Sequence, residues 1–256
     1  MNNINRVALH TLVRKEVIRF TRIWSQTLLP PMITMSLYFI LFGKLVGSQL
    51  NLIQGFTYMQ FIAPGLIMMT IIMNAYNNVV ASFFNMRFQR SIDELLVSPT
   101  ANWVILLGFT MGGMLRGIVV GFFVSLLALC FTKLHVMHFA TLCFVTLFTS
   151  AFFSLAGFTN ALFARKFDDI SVIPSFVLTP LTYLGGVFYS IQQLPLHWQW
   201  IAKLNPILYM VNAFRYSLLG IQDMNASFSL YIIGIATMTL FAINLYLLNK
   251  GIGLKS

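Results

Sequence analysis

The chain has 256 residues, of which 58% are hydrophobic and 9% are charged, and its mean hydropathy is +0.82. These values lie far outside the usual range of soluble domains, so the composition predicts an integral membrane protein. The formal net charge is +10, but the basic residues lie at the ends of apolar runs and form no patch with stacking aromatic side chains. The charge therefore indicates membrane topology and argues against nucleic acid as a partner. The two cysteines, Cys130 and Cys143, have neither disulfide nor metal-site spacing.

Residues 1–26 form a basic amphipathic segment. A helical winding places these apolar side chains on one face: Leu9, Leu12, Val13, Phe20, Ile23 and Trp24. The opposite face carries Arg14, Lys15, Arg19 and Arg22. We expect this helix to lie on membrane lipids at the cytoplasmic surface, although a generic topological anchor would have the same pattern. Glu16 falls among the apolar positions, where an unpaired carboxylate is costly. The charges continue to Arg22 with no small-residue cleavage site after the next apolar run, so we expect no cleavable signal peptide.

Six segments are apolar and long enough to cross the ~30 Å hydrocarbon layer as helices. They are Thr27–Val46, Phe61–Phe84, Trp103–Phe131, Phe139–Ala164, Val172–Tyr189 and Phe228–Leu248. We therefore expect one all-α membrane domain over residues 1–256, with six spans in residues 27–248 and a cytoplasmic tail in residues 249–256.

The fifth span is the least regular. Its sequence, VIPSFVLTPLTYLGG, contains two prolines and two glycines, and an interrupted helix facing lipid would leave backbone groups unpaired. We therefore expect this span to be packed inside the protein. The apolar and aromatic segment that follows is broken by Pro195 and Pro206, which favours short interfacial or re-entrant helices over another crossing.

Lysine and arginine residues outside the spans predict the orientation. If the N-terminus is cytoplasmic, eleven lie on that side: Arg6, Arg14, Lys15, Arg19, Arg22, Arg87, Arg90, Arg165, Lys166, Lys250 and Lys255. Four lie on the far side: Lys44, Lys133, Lys203 and Arg215. This excess of positive charge predicts that both termini are cytoplasmic.

The first cytoplasmic loop contains its own helix signals in RFQRSIDELLVSP, residues 87–99. Ser91 at the cap and Glu94 three residues later have the pattern of a capping box, and Asp93 adds a second acid to the first turn. Pro99 ends the helix after about two turns. A helix this short needs a surface to pack on. We interpret it as a docking element for a cytoplasmic partner, and a solvated connector is the alternative.

Arg116 lies thirteen residues into the third span, ~20 Å from its cytoplasmic start. An arginine at that depth costs at least ~2.5 to 3.5 kcal/mol unless it faces protein or water, so we expect it to point inward. Asn74 and Asn78 lie at comparable depth on one face of the second span, and their amides could accept its hydrogen bonds. Snorkelling along the lipid surface is the alternative. Close helix packing is favoured by the flanking Gly112, Gly113 and Gly117.

Several stretches are distinctive beyond their apolar character. They are KEVIRF (15–20), FTRIW (20–24), YMQFIAPGLIMM (58–69), FQRSIDELLVSP (88–99), FDDISVIPSFVLTPLTYLGGVFYS (167–190) and LNPILYM (204–210). Through them, and over essentially its whole length, the sequence resembles the ABC-2 type permeases, the membrane subunits of ATP-binding cassette exporters in the bacterial inner membrane. The last three stretches are the most specific.

The resemblance implies the type V exporter fold: six transmembrane helices, an amphipathic connecting helix before the first, a cytoplasmic coupling helix and re-entrant helices before the last. It also implies a homodimer, with a separate ATPase subunit that binds ATP and magnesium docked under each half. This sequence contains no G-x-x-x-x-G-K-[ST] motif. We therefore expect a non-catalytic subunit with no cofactor of its own.

The resemblance also implies roles for particular residues. The expected contacts of the coupling helix with the ATPase subunit are Ser91, Asp93, Glu94, Leu95, Leu96 and Pro99, flanked by Glu16 and Arg19 on the connecting helix. The second and fifth spans would line the translocation path at Asn74, Asn78, Phe176, Thr179 and Tyr183, and we add Arg116 because of its depth.

Two other classes of function fit less well. An intramembrane hydrolase needs paired carboxylates or a nucleophile beside a base, yet no Asp or Glu lies in a predicted span. A proton-coupled secondary transporter would also favour membrane-embedded carboxylates or histidines. For an exporter with 25 Phe and nine Tyr, an amphipathic or lipid-like cargo is favoured, and a lipid-linked or extended carbohydrate is the alternative.

Overall fold

The structure, a computed structural model, describes residues 3–47, 52–221 and 223–253. These residues form helices in the order α1 (Asn3–Arg22), α2 (Trp24–Tyr38) with a π-helical extension (Phe39–Val46), α3 (Tyr58–Phe88), α4 (Ser91–Val97), α5 (Asn102–Phe131), α6 (Phe139–Phe163), α7 (Asp169–Ile173) with a π-helical turn (Pro174–Leu178), α8 (Thr179–Leu184), a 3-10 turn (Ile191–Gln193), α9 (Leu196–Lys203), α10 (Pro206–Leu219) and α11 (Ala226–Asn249). The predicted all-α membrane class is confirmed.

Five helical segments in the described part of the chain are long and apolar enough to cross a membrane. They are Trp24–Gly43, Tyr58–Phe88, Asn102–Phe131, Phe139–Phe163 and Ala226–Asn249. These segments correspond to predicted spans one to four and six. The predicted fifth span is the shorter apolar helix Asp169–Leu184, which is interrupted by the π-helical turn.

The basic N-terminal segment forms α1, with Leu12, Glu16 and Phe20 buried and with Arg14 and Lys15 exposed. The amphipathic prediction is therefore confirmed for most of the segment. Its end is different, because α1 stops at Arg22 and the chain turns at Ile23, where φ is −112° and ψ is 38°. Ile23 and Trp24, which were expected on the apolar face of this helix, are exposed at the turn.

The central element of the bundle is α3. Most of its side chains are buried, and it packs against α5, α6 and α10. The helix begins with a capping box, in which Thr57 accepts from the Gln60 backbone N–H and the Gln60 side chain accepts from the Thr57 N–H. A Cβ on Gly113 would lie 2.8 Å from the carbonyl oxygen of Ala75, so α5 approaches α3 as closely as predicted.

The fifth span, which was expected to be packed inside the protein, is exposed on one side within the single chain. Phe176 is 77% exposed, and Val172, Val177 and Tyr183 are exposed as well. The interrupted helix finds hydrogen-bond partners without being enclosed: the Thr179 hydroxyl donates to the Pro174 carbonyl at 2.9 Å, and the Thr182 hydroxyl donates to the Thr179 carbonyl at 2.7 Å. Both hydroxyls bond to carbonyl groups of the same interrupted segment.

Short helices precede the last span, as predicted. α10 begins at Pro206 with Asn205 as its cap, and it ends at Gly220, whose φ is +71°. Nearly all of α10 is buried. α9 is more exposed, with Leu196 at 67% and Trp200 at 64%.

Arg215 on α10 is a buried cation, 2% exposed. The sequence predicts it outside the spans on the far side, and α10 is not one of the long apolar helices, but its burial was not predicted. Its guanidinium donates to the carbonyl oxygens of Phe61 (3.3 Å) and Gly186 (2.7 Å) and lies 3.7 Å from the Asp223 carboxylate. It also covers the Phe61 ring at 3.8 Å from the centroid. Arg215 therefore joins the start of α3 to the loops that follow α8 and α10.

Candidate functional site

The coupling helix predicted in the first loop is α4, but its start differs from the prediction. The cap residue is Arg90, in the left-handed conformation at φ +58°, and it makes no side-chain cap hydrogen bond. The predicted capping box of Ser91 and Glu94 is therefore absent, and Ser91 is the first residue of the helix. The chain reverses at Arg90, whose N–H donates to the Arg87 carbonyl at 3.0 Å, and this turn sets where α4 begins. Asp93 and Glu94 lie in the first turn, as predicted.

α4 has one buried anchor and an exposed side. Ile92 is 1% exposed and packs in the core formed by α3, α5 and α6. Asp93 and Glu94 are exposed, Leu95 is half-buried, and Val97 is 88% exposed. The side chain of Leu96, another predicted contact, lies outside the described residues. The sequence analysis missed Ile92, although it is the apolar residue that gives a seven-residue helix its packing surface.

The end of α4 follows the prediction for Pro99. The preceding Ser98 is extended, with ψ at 153°. The hydroxyls of Ser98 (2.6 Å) and Thr100 (3.3 Å) are both bonded to the Leu95 carbonyl, which the helix can no longer satisfy.

The end of α3, from which the chain turns into α4, is fixed to the end of α6 through Arg87. Its guanidinium donates to the carbonyl oxygens of Ala161 (2.8 Å), Leu162 and Ala164. Carbonyls at a helix C-terminus lack partners within the helix and carry partial negative charge, so a cation there is favourable. A cavity of about 460 Å³ lies beside this contact, and its lining includes Arg87, Arg90, Asp93 and Arg165.

The loop between α6 and α7 is held by Asp169. Its carboxylate accepts the backbone N–H groups of Arg165 (2.8 Å) and Lys166 (3.0 Å). Phe167 in the same loop stacks edge-on against Phe84 and Phe88, with ring centroids 5.0 and 4.9 Å apart.

The buried carboxylate of Glu16 is paired. It accepts hydrogen bonds from the Ser82 hydroxyl and from Arg19, the latter at 2.8 Å. A Cβ on Gly112 of α5 would lie 2.6 Å from the Glu16 Cβ, so the glycine makes room for this side chain. Glu16 thus faces α3 and α5, away from the exposed side of α4.

Arg116 points toward the second predicted asparagine, as expected. Asn78 Oδ1 accepts from Arg19 at 2.8 Å and from Arg116 at 3.4 Å. The amide of Asn74 donates instead to the Thr70 carbonyl, at 3.0 Å. Glu16, Arg19, Asn78, Ser82 and Arg116 are therefore one connected polar cluster. Within the described residues, Arg19 Nε, Arg116 Nε and Asn78 Nδ2 are buried without a hydrogen-bond partner.

A cavity of about 360 Å³ lies between α2, α3 and α5. Its lining includes Arg116 and Asn74 but none of Phe176, Thr179 and Tyr183. The structure therefore brings together the predicted residues of the second and third spans and leaves the three residues of the fifth span apart. Tyr38, which lines the cavity, and Tyr183 both contact the ring of Phe188, with centroids 6.0 and 5.6 Å apart.

The sequence contained a further signal for this cluster. Thr70, Asn74, Asn78 and Ser82 recur at every fourth position of α3, so they share one face of the helix. All four are buried. The sequence analysis identified only the two asparagines.

Comparison with known proteins defines the class of this chain. The ABC-2 type transporter family matches residues 7–219, so the chain belongs to the ABC-2 type transporter membrane family. With its apolar helices, it is a multi-pass inner-membrane protein of the permease class.

Individual relatives agree with this assignment. The chain is 49% identical over 256 residues to the inner membrane transport permease YadH of Escherichia coli K12, and the alignment covers 100% of both chains. It is 22% identical over 215 residues to nodulation protein J of Rhizobium leguminosarum bv. viciae, covering 84% of this chain and 83% of that one. Nodulation protein J of Rhizobium meliloti is 24% identical over 187 residues, which is 72% of this chain and 71% of the relative.

Proposed function

We propose that the chain is the membrane-spanning subunit of an ATP-driven exporter that moves an amphipathic or lipid-like molecule outward. A separate ATPase subunit would bind and hydrolyse ATP with magnesium, and it would dock on α4 from the cytoplasm. This chain then performs no catalysis and binds no cofactor. Its task is to pass the movement of the ATPase subunit to the spans.

The division of α4 into a buried and an exposed side carries this proposal. Ile92 holds the helix on the bundle, so Asp93, Glu94 and Val97 are presented to the outside. The exposed side of α4 therefore combines two carboxylates with an apolar side chain that is 88% exposed, and this is the surface that we assign to the ATPase subunit. Glu16 and Arg19 act behind α4 in this proposal, by holding α1 against α3.

Both ends of the described chain lie with α4 at one end of the bundle, which supports cytoplasmic termini. Asn5 near the start of α1 accepts the Ala101 N–H at 3.4 Å, and Asn102 donates to Asn249 at 2.9 Å. The start of α1, the start of α5 and the end of α11 are therefore neighbours. Placing this end in the cytoplasm satisfies the positive-inside rule.

The test of the proposed function is recovery of the ATPase subunit with affinity-tagged permease from native membranes. Wild type should retain an ATPase with a Walker A motif. Val97→Asp and Glu94→Lys should insert normally but lose the ATPase. For Val97→Asp we expect a loss of about tenfold or more, because a charge placed in a buried contact costs over about 1.4 kcal/mol.

Asp168→Lys is the matched control for the charge change. Asp168 is an exposed cytoplasmic acid, like Glu94, but it lies in the loop between α6 and α7, so its reversal should leave ATPase recovery at the wild-type level. If wild type retained no ATPase, or if Glu94→Lys and Val97→Asp retained as much as Asp168→Lys, the docking assignment would be wrong.

A further inference from the structure

The cavity between α2, α3 and α5 combines apolar and polar walls. Its volume is about 360 Å³, and its lining includes Met35, Met69 and Met73 together with Asn74, Asn77 and Arg116. A volume in this range holds a small molecule or part of a larger one, and polar side chains beside apolar ones fix the orientation of a ligand. Methionine side chains adapt to alkyl chains of varied shape.

Arg116 is the one charged residue among those that line this cavity. Its nearest acid in the polar cluster, Glu16, already bonds to Arg19 and Ser82. Arg116 itself has only the neutral Asn78 oxygen at 3.4 Å, and its buried Nε lacks a partner within the described residues. The cluster thus contains two guanidinium groups and one carboxylate, which pairs with Arg19, so the positive charge of Arg116 is not neutralised.

An unneutralised cation in a membrane span is costly unless it meets water or an anion. The guanidinium group forms strong charge-assisted hydrogen bonds with phosphate and carboxylate oxygens. We propose that this cavity binds the anionic group of an amphipathic molecule, with Arg116 as the countercharge and the methionines against its alkyl chain. The inference that such a molecule is the exported cargo rests on the proposed function. The inference that the cavity binds it does not.

The experiment is equilibrium binding of radiolabelled dodecyl phosphate to the full-length permease in phosphatidylcholine nanodiscs, without ATPase subunit or nucleotide. Binding should be saturable and displaced by unlabelled dodecyl phosphate. Dodecyltrimethylammonium, which has the same chain and the opposite charge, should not displace it. Inorganic phosphate at equal concentration should not displace it either, because it lacks the apolar part.

Variants of two cavity residues test whether a loss of binding is due to the change of charge or to misfolding. Arg116→Gln should weaken binding about tenfold or more, since a hydrogen-bonded charge contact is lost, and Arg116→Lys should restore most of the affinity. Asn77→Asp keeps the side-chain shape but adds a negative charge to the cavity, so it should also weaken binding. Arg22→Gln removes an exposed charge at the end of α1 and should bind like wild type.

Three results would overturn the proposal: displacement by dodecyltrimethylammonium, unchanged binding in both Arg116→Gln and Asn77→Asp, or equal displacement by inorganic phosphate, which would indicate a free-anion site. The assay is independent of the ATPase subunit. Normal dodecyl phosphate binding by a permease that fails to retain an ATPase would refute only the proposed function.

Discussion

Asp223 is the acceptor at the centre of several contacts between distant segments. Besides the ion pair with Arg215, its carboxylate accepts from the Ser190 hydroxyl (2.6 Å) and from Gln54 (3.1 Å). Its side chain is 4% exposed and that of Arg215 is 3% exposed. A buried guanidinium in this position depends on the nearby negative charge, because two carbonyl oxygens provide hydrogen bonds but no full countercharge.

We expect Asp223→Asn to lower the free energy of unfolding by about 3 kcal/mol, because it leaves the Arg215 charge uncompensated while keeping the side-chain shape. The measurement is unfolding of the detergent-solubilised protein by heat or denaturant. Asp168→Asn removes an exposed carboxylate and should change stability by less than about 0.5 kcal/mol. Equal stability of the two variants would show that the charge of Asp223 does not matter.

At the scale of elements, the contact of α1 with α5 depends on two glycines of α5, which have no side chain. Gly112 faces Glu16, and Gly108 one turn earlier faces Leu12, where a Cβ would lie 2.8 Å from the Leu12 Cβ. The two helices can therefore approach closely enough for Glu16 to reach Ser82 on α3. α1 is therefore held by packing and by buried hydrogen bonds.

We predict that Gly112→Ala pushes α1 away from α5 and costs about 1 to 3 kcal/mol, as overpacking of a close contact does. Faster proteolysis at the exposed Arg14 and Lys15 would accompany the loss of thermal stability. Gly234→Ala on α11 is the matched control, since its Cβ would meet only Phe144 at 3.8 Å and alanine is the better helix former. A Gly112→Ala protein as stable as the control would mean that α1 is not held this way.

The sequence predicted the long spans well because each depends on a run of apolar residues, which is a local property. The start of α4 was predicted wrongly for a physical reason. Ser91 and Glu94 have capping-box spacing, but the reversal after α3 places Arg90 in a left-handed conformation, and this turn decides the cap. The same motif does operate at Thr57 and Gln60, where nothing competes with it.

The polar cluster was predictable in part. The depth of Arg116 and the burial of Glu16 followed from helical geometry, because position along a helix is set by the sequence. Which acid meets which base depends on how three helices cross, and this is a tertiary property. The pairing of Glu16 with Ser82, and of Arg215 with Asp223, could therefore not be obtained from spacing alone.

At the scale of the whole molecule, the interrupted fifth span is too short to match the bilayer. Its sixteen residues, Asp169–Leu184, extend ~24 Å as a helix, against a hydrocarbon layer of ~30 Å. The mismatch between a short span and a thicker bilayer is relieved by local thinning of the bilayer or by association with another helix. Its exposed side, which includes Phe176, is therefore where we expect the second copy of a homodimer.

We predict that Phe176→Cys, in a protein whose Cys130 and Cys143 are replaced by serine, forms a disulfide-linked dimer under mild oxidation in native membranes. Tyr231→Cys is the matched control, because Tyr231 is 72% exposed on α11, a long uninterrupted helix that can face lipid. Electrophoresis without reductant measures the product. Crosslinking at Tyr231 but not at Phe176 would place the contact between copies elsewhere.

The 31 residues of α3 form a rod ~46 Å long that is fastened at both ends. Arg87 fixes its inner end to the carbonyls of α6, and Arg215 binds the Phe61 carbonyl in its first turn together with Gly186. A tilt of about 5° about one end displaces the other end of a rod of this length by ~4 Å. A small tilt of α3 about its end at Arg87 would thus displace the loop that contains Gly186 at the opposite end.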